Sequence, residues 1–216
     1  CPEVNSALKR IEKMISEGAD IIDIGACSTR PGSLPVGAEE EWKRLKPVLE
    51  ALRKEFPSAV ISIDTYWSSV VRKAYDLIGS FIVNDISAGE DDSSMLETVG
   101  RLGLTYAAMH KRGTPVTMQS LTDYDDVTKE VMSYFAAFSV KAHEAGIDDW
   151  IVDPGFGFAK TTDQNWQLAR DLAGFKKFGR PLLVGVSRKS MIYKKFSISP
   201  EESLPAVQVL HMHSLI

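Results

Sequence analysis

Residues 150–158 read WIVDPGFGF: a short apolar run that passes at once into an acid, a proline and two glycines. An unbroken apolar run of this length predicts a strand buried on both faces, as in a parallel sheet. The Asp-Pro-Gly that follows is a forced turn. Asp153 is therefore expected at the tip of a rigid strand, on a loop where backbone can lie close to a ligand. Asp-Pro-Gly also closes ordinary loops. The weight comes from repetition, because other apolar runs in the chain end in polar groups in the same manner.

Working outward, residues 19–32 (ADIIDIGACSTRPG) predict a strand through about Ile24 and then a polar loop. AVISIDT (59–65) ends in Asp64, FIVNDIS (81–87) carries Asn84 and Asp85, and TYAAMH (105–110) ends in His110. PLLVGVSRKS (181–190) predicts a sixth strand with a polar end. Between these runs lie helical patterns at 38–56, 67–78, about 94–102, 127–145 and 163–173. Pro47 falls inside the second helix of the chain and is expected to kink it. An amphipathic helix at 4–17 precedes the first strand, and an amphipathic segment runs from about Glu201 to the end.

Alternating strands and helices with apolar strands imply a parallel sheet with right-handed crossovers. A doubly wound sheet would carry a glycine-rich dinucleotide turn early on, and GACSTRPG does not match GxGxxG. A TIM (β/α)8 barrel places functional groups at the C-terminal ends of several strands, which fits the pattern better. Residues 1–216 then form a single domain. Six strands with an orphan helix at each end imply a barrel lacking its first and last strands.

The 216 residues are 44% hydrophobic and 25% charged, with a net charge of −4, enough for one sizeable core. No basic stripe suits nucleic acid and no apolar run suits a membrane span. The 2 cysteines, Cys1 and Cys27, have no metal-type spacing, and a reducing cytoplasm is the expected setting.

If the barrel holds, Asp64, Asn84, Asp153 and Lys189 converge at its mouth. Two carboxylates, a carboxamide and an ammonium suit a flat heterocycle with an amidine-like edge and a ring carbonyl. They lack the His and Cys groups of a zinc site, while Mg2+ held by water and phosphate needs few protein oxygens. Each acid alone has an ordinary alternative as a helix N-cap. STRPG (28–32) and SRKS (187–190) set hydroxyls beside cations, an arrangement for anions or for a solvated loop. His110 is open to a site role and to a structural one. So are Phe156 and Phe158, as an aromatic wall or as core.

The ordered set of STRPG after IIDIGA, SIDT, VNDIS, MHKRGTPVTMQ, DPGFGF with Lys160, and GVSRKS resembles dihydropteroate synthase over nearly the whole chain. The resemblance implies a TIM barrel that joins p-aminobenzoate to 6-hydroxymethyl-7,8-dihydropterin pyrophosphate, releasing pyrophosphate and giving 7,8-dihydropteroate for folate synthesis. It implies pterin binding by Asp64, Asn84, Asp153 and Lys189, with Met109, Phe158 and Gly185 lining the pocket. Thr29, Arg30 and Pro31 would sit on a loop closing over p-aminobenzoate and pyrophosphate, and Ser190 would approach the benzoate carboxylate. Asp64, Lys189 and Arg30 would be the catalytic groups. Mg2+ is the implied cofactor, but the family's Asn ligand belongs to a first strand before Cys1, so no metal ligand is named within 1–216. The family's last strand, with its Arg-x-His pair, is likewise absent. A homodimer and sulfonamide sensitivity are also implied.

Two rivals share the barrel. Methyltetrahydrofolate–corrinoid methyltransferases match at the aspartates and asparagine, but do not generally carry STRPG or SRKS. A non-catalytic pterin-binding barrel would have lost site residues, and here those within 1–216 are intact.

Overall fold

Five strands lie parallel and side by side in the order in which they occur in the chain: β1 (Ile21–Gly25), β2 (Val60–Asp64), β3 (Ile82–Asp85), β4 (Thr105–Met109) and β5 (Trp150–Asp153). The computed structural model describes residues 4–27, 36–114 and 116–215. A doubly wound sheet must reverse its strand order at a switch point, and this one does not. Sequential parallel strands joined through helices make the arc of a (β/α)8 barrel.

Helix α1 (Val4–Ser16) precedes β1. The crossovers are α2 (Ala38–Glu55), α3 (Ser68–Ile78), α4 (Met95–Leu102) and α5 (Val127–Glu144). After β5 come α6 (Thr162–Arg170), α7 (Ser190–Phe196) and α8 (Leu204–Leu215). Local signals set several ends. Asp126 caps α5 by accepting from the amides of Thr128 and Lys129, and Thr161 with Gln164 forms a reciprocal capping box on α6. Pro47, expected to kink α2, sits within a helix assigned without a break.

Side chains alternate across a strand, so register decides which face each one serves. Ile63, Val83, Tyr106 and Trp150 fall on one face with Ala108 and Val152, and all are buried beneath the helices. Leu45, Leu49 and Leu52 of α2, Val70 and Val71 of α3, and Phe135 and Phe138 of α5 join them in the core. An aromatic cluster of Phe135, Phe138, Trp150, Phe175 and Phe178 backs β5. The opposite, inner face carries Asp23, Asp64, Asn84, Met109 and Asp153. It is open at its lower rim, where Ile21 is 47% and Val60 50% exposed. The burial of β5 on both faces expected from its apolar run is therefore incomplete, with Ile151 half-buried on the inner side.

Two expectations are corrected. The sixth strand, expected over 181–190, is a single parallel bridge between Val152 and Leu182. Val152 donates to the Pro181 carbonyl at 2.9 Å and accepts from Leu183 at 2.8 Å, and the ladder stops there. Pro181 has no N–H to extend it downward, and exposed Gly185 has no side chain to pack further up. The chain then turns at Arg188, whose φ is 52°, and enters α7. The final segment is also not a one-stripe amphipathic helix: α8 buries Val207 and Leu210 while Leu204, Val209, Met212 and Leu215 are exposed.

Candidate active site

Asp64 and Asn84 stand opposite one another at the ends of β2 and β3, registered as neighbours on the inner face. Asn84 donates its amide to Asp23 of β1, with Nδ2 at 3.3 Å from Oδ1 and 3.4 Å from Oδ2. Burial pushes the Asp64 carboxyl up to about 7, and the negative charges of Asp23, Glu41 and Asp85 push the same way. Such a group exchanges its proton near neutrality and gains most from a ligand that offers N–H donors. Glu41, from the first turn of α2, is fully buried, and among the described residues neither of its carboxyl oxygens finds a hydrogen-bond partner. Burial raises its pKa, opposed by the nearby Thr65 hydroxyl, which lies outside good hydrogen-bonding geometry.

Asp85, the next residue along β3, faces the other way. Its carboxylate accepts from Ser87 N, Ser87 Oγ, Gly89 N and the Tyr106 hydroxyl, at 2.6–2.9 Å. It is buried and fully occupied in shaping the turn that follows Asn84.

On the far side of the arc, Met109 and Asp153 are registered neighbours on β4 and β5. Asp153 Oδ1 accepts from Gly155 N at 2.8 Å, which folds the turn back over the strand end. Gly155 is obligatory: its φ is +69° and a Cβ would lie 2.0 Å from the His110 carbonyl oxygen. Burial raises the Asp153 carboxyl to about 6, opposed by the Gly155 amide and then by the positive charges of Lys189 and Lys160. The stem of Lys189 passes over Gly157, 3.3 Å from where a Cβ would sit, and its Nζ lies 4.7 Å above the Phe158 ring. Burial lowers the Lys189 pKa, while the Asp153 charge raises it.

The site residues expected from sequence divide plainly. Asp64, Asn84, Met109, Asp153, Phe158 and Lys189 are placed on or at the ends of the inner face. Ser190 is the first residue of α7, half-buried beside Lys189, and Gly185 is exposed on the segment after β5. Thr29, Arg30 and Pro31 lie outside the described residues. Of the two phenylalanines, Phe156 is core at 1% exposure and only Phe158 meets the mouth. His110 is structural: burial, with the charges of Lys160 and Arg112, holds its pKa down to about 2, so the ring is neutral. Sequence reading passed over Asp23, whose signal was an acid inside an apolar strand, two residues from its end.

Among the described residues, no group of three or more His, Cys, Asp or Glu side chains is placed to hold a metal ion. The Mg2+ implied by the resemblance has no protein cage among them. No described helix is long and apolar enough to cross a membrane.

Comparison with known proteins bears on this geometry. Residues 2–215 match the family described as pterin binding enzyme. The dihydropteroate synthase of Escherichia coli K12 is 42% identical over 200 residues, covering 92% of this chain and 70% of that protein. That of Haemophilus influenzae is 41% identical over 191 residues, covering 88% and 68%. Among solved structures, Yersinia pestis dihydropteroate synthase in a sulfonamide drug complex superposes with a TM-score of 0.91 at 33% identity, covering 99% of this chain and 77% of that one. The Xanthomonas albilineans enzyme with 4-aminobenzoic acid superposes at 0.89 and 34% identity, covering 98% and 75%. With its sequential barrel strands and polar inner strand ends, this chain belongs to the dihydropteroate synthase family of pterin-binding enzymes.

Proposed function

We propose that this chain is a transferase that joins p-aminobenzoate to 6-hydroxymethyl-7,8-dihydropterin pyrophosphate, giving 7,8-dihydropteroate and pyrophosphate. The observation that carries this reading is the division of the inner face into an acceptor-rich end at Asp64 and Asn84 and a mixed end at Asp153 and Lys189. A pterin offers matching groups in one plane: an amidine-like edge of N–H donors and a ring carbonyl. Asp153 and Asn84 accept and donate along that edge, Asp64 takes a further ring N–H, and Lys189 donates to the carbonyl. Met109 and Phe158 supply apolar cover, and Gly185 leaves space at the rim.

The aromatic amine attacks the pterin's exocyclic methylene. The carbon–oxygen bond to pyrophosphate breaks, and the amine gives up one proton. The electron-rich ring supports positive charge at that methylene, so the protein needs no nucleophile of its own. Its tasks are to hold the ring in place and to neutralise the leaving anion. Arg30 takes the second task, with Thr29 and Pro31 beside it in the sequence, and Ser190 meets the benzoate carboxylate. Mg2+ would supply a counter-charge to the leaving pyrophosphate, and no side-chain cluster among the described residues would cage it.

The sparse cysteines, Cys1 and Cys27, support a cytoplasmic setting. A homodimer is supported by the exposed Val209, Met212 and Leu215 on α8, and sedimentation of the purified chain tests it. The activity is tested by pyrophosphate release. Release from the pterin pyrophosphate that depends on p-aminobenzoate supports the synthase. Methyl transfer from methyltetrahydrofolate, or pterin binding without turnover, would replace it.

A further inference from the structure

Lys160 has no part in the steps above, yet it is 5% exposed and lies at the centre of the turn after β5. An ammonium has three protons, and Lys160 Nζ has three acceptors: His110 Nδ1 at 3.0 Å and the carbonyls of Gly155 and Phe158, each at 2.9 Å. The His110 carbonyl is more distant, at 3.5 Å. His110 therefore accepts at Nδ1 and carries its own proton on Nε2, an assignment made from the network.

These contacts lead directly to the pterin-holding groups. The Gly155 peptide faces two ways, its N–H donating to Asp153 and its carbonyl accepting from Lys160. The Phe158 carbonyl, fixed by the same ammonium, sets the ring beneath Lys189 Nζ. Asn165 of α6 closes the turn from below, accepting from Gly157 N at 2.7 Å and donating to the Lys160 carbonyl at 3.2 Å.

We propose that Lys160 is a positioning residue for the pterin pocket: its ammonium locks the turn over residues 153–158 to the end of β4, fixing Asp153 and Phe158. This deepens the synthase reading and rests on it. The charged and titratable groups facing Lys160 are Asp153 from β5, His110 and Arg112 from the end of β4 and its loop, and Lys189 from the start of α7. Burial lowers the Lys160 pKa to about 7. The Asp153 charge resists this, and the two cations add to it.

The test compares the wild-type chain with Lys160→Met, by equilibrium binding of 6-hydroxymethylpterin across pH and by steady-state kinetics. The expected result is pterin binding weaker by about tenfold, the net worth of a charge-assisted hydrogen bond. The KM for p-aminobenzoate is expected to stay within about twofold. The acid limb of pterin binding should also move up by about one pH unit, because Asp153 loses a cation that favours its charged form. Weaker binding with an unmoved acid limb would mark Lys160 as merely structural and overturn the proposal. If Lys160→Met does not fold, Lys160→Gln, which retains a donor for a carbonyl, carries the same comparison; failure of both to fold also overturns it. A wild-type chain that binds no pterin overturns the site reading and the proposal together. Wild-type binding matched by Lys160→Met overturns the proposal alone.

Discussion

Asn84 reaches across β2 to Asp23: its amide nitrogen lies 3.3 Å from one carboxylate oxygen and 3.4 Å from the other, linking β3 to β1 on the inner face. The contact orients the carboxamide and also places a second negative charge near Asp64. Removing Asp23 should therefore have two separable effects. Asp23→Ala should raise the pterin KM by roughly fivefold, about 1 kcal/mol for a hydrogen bond in a partly open site. It should also lower the Asp64 pKa, because a like charge that had raised it is gone. The acid limb of kcat/KM then moves to lower pH, and a full pH profile of the variant checks both.

Asp64 should cost the ligand-free protein stability. Its folded pKa of about 7 lies above the ordinary value of 3.8, so the folded state keeps its proton longer than the unfolded chain does. The stability associated with the protonated acid is whole below the unfolded value and is lost as pH rises through about 7. Asp64→Asn should thus be more stable than wild type at pH above 7, by on the order of 2 kcal/mol, and equal to it in strong acid. The figure is below the full shift because the carboxyl is only half-buried. Activity should fall sharply in the same variant. Urea melts across pH, run beside the pyrophosphate assay, test the trade-off.

Asn84 and Asp85 adjoin in sequence but face opposite sides of the sheet. Tyr106→Phe removes the hydroxyl that donates to Asp85 at 2.6 Å and leaves that buried oxygen only the Gly89 amide. The expected cost is about 1–3 kcal/mol of stability with the pterin KM unchanged. Asn84→Ala should do the reverse, raising the pterin KM with little change in melting. A thermal melt and a KM for each variant suffice.

Gly155→Ala places a methyl group 2.0 Å from the His110 carbonyl oxygen in a backbone with φ +69°. The turn cannot keep its shape, and a loss of about 2–4 kcal/mol is expected. Asp153 should lose its fixed position too. Unchanged melting and pterin affinity would show that the turn is looser than this geometry implies.

Much of this was legible in the chain because each signal was local. Apolar runs ending in Asp64, Asn84 and Asp153 point to strands, which the structure places as β2, β3 and β5, whereas α7 at Ser190–Phe196 falls where the sequence predicts only the polar end of a strand. The failures were equally physical. PLLVG looks like a strand by composition, but ladder length depends on partners and on Pro181 and Gly185, and the structure leaves one bridge at Leu182. Asp23 carries no local signal of its contact with Asn84, which depends on register two strands away. Lys160 was visible only as part of a motif, since its acceptors on His110 come from 50 positions earlier. The apolar residues of α8 are spread around the helix, so the amphipathic segment expected from about Glu201 does not form one stripe.

The kinetics of Asp153→Asn give the sharpest test of the pterin site. The asparagine keeps an oxygen for the Gly155 amide, so the turn should survive while the carboxylate proposed to take the pterin's N–H edge is lost. The expected result is a pterin pyrophosphate KM raised by at least about tenfold, from the loss of a charge-assisted pair, with the KM for p-aminobenzoate unchanged. A pterin KM equal to wild type, in a folded variant that still makes 7,8-dihydropteroate, would contradict the assignment of the strand ends as the pterin site.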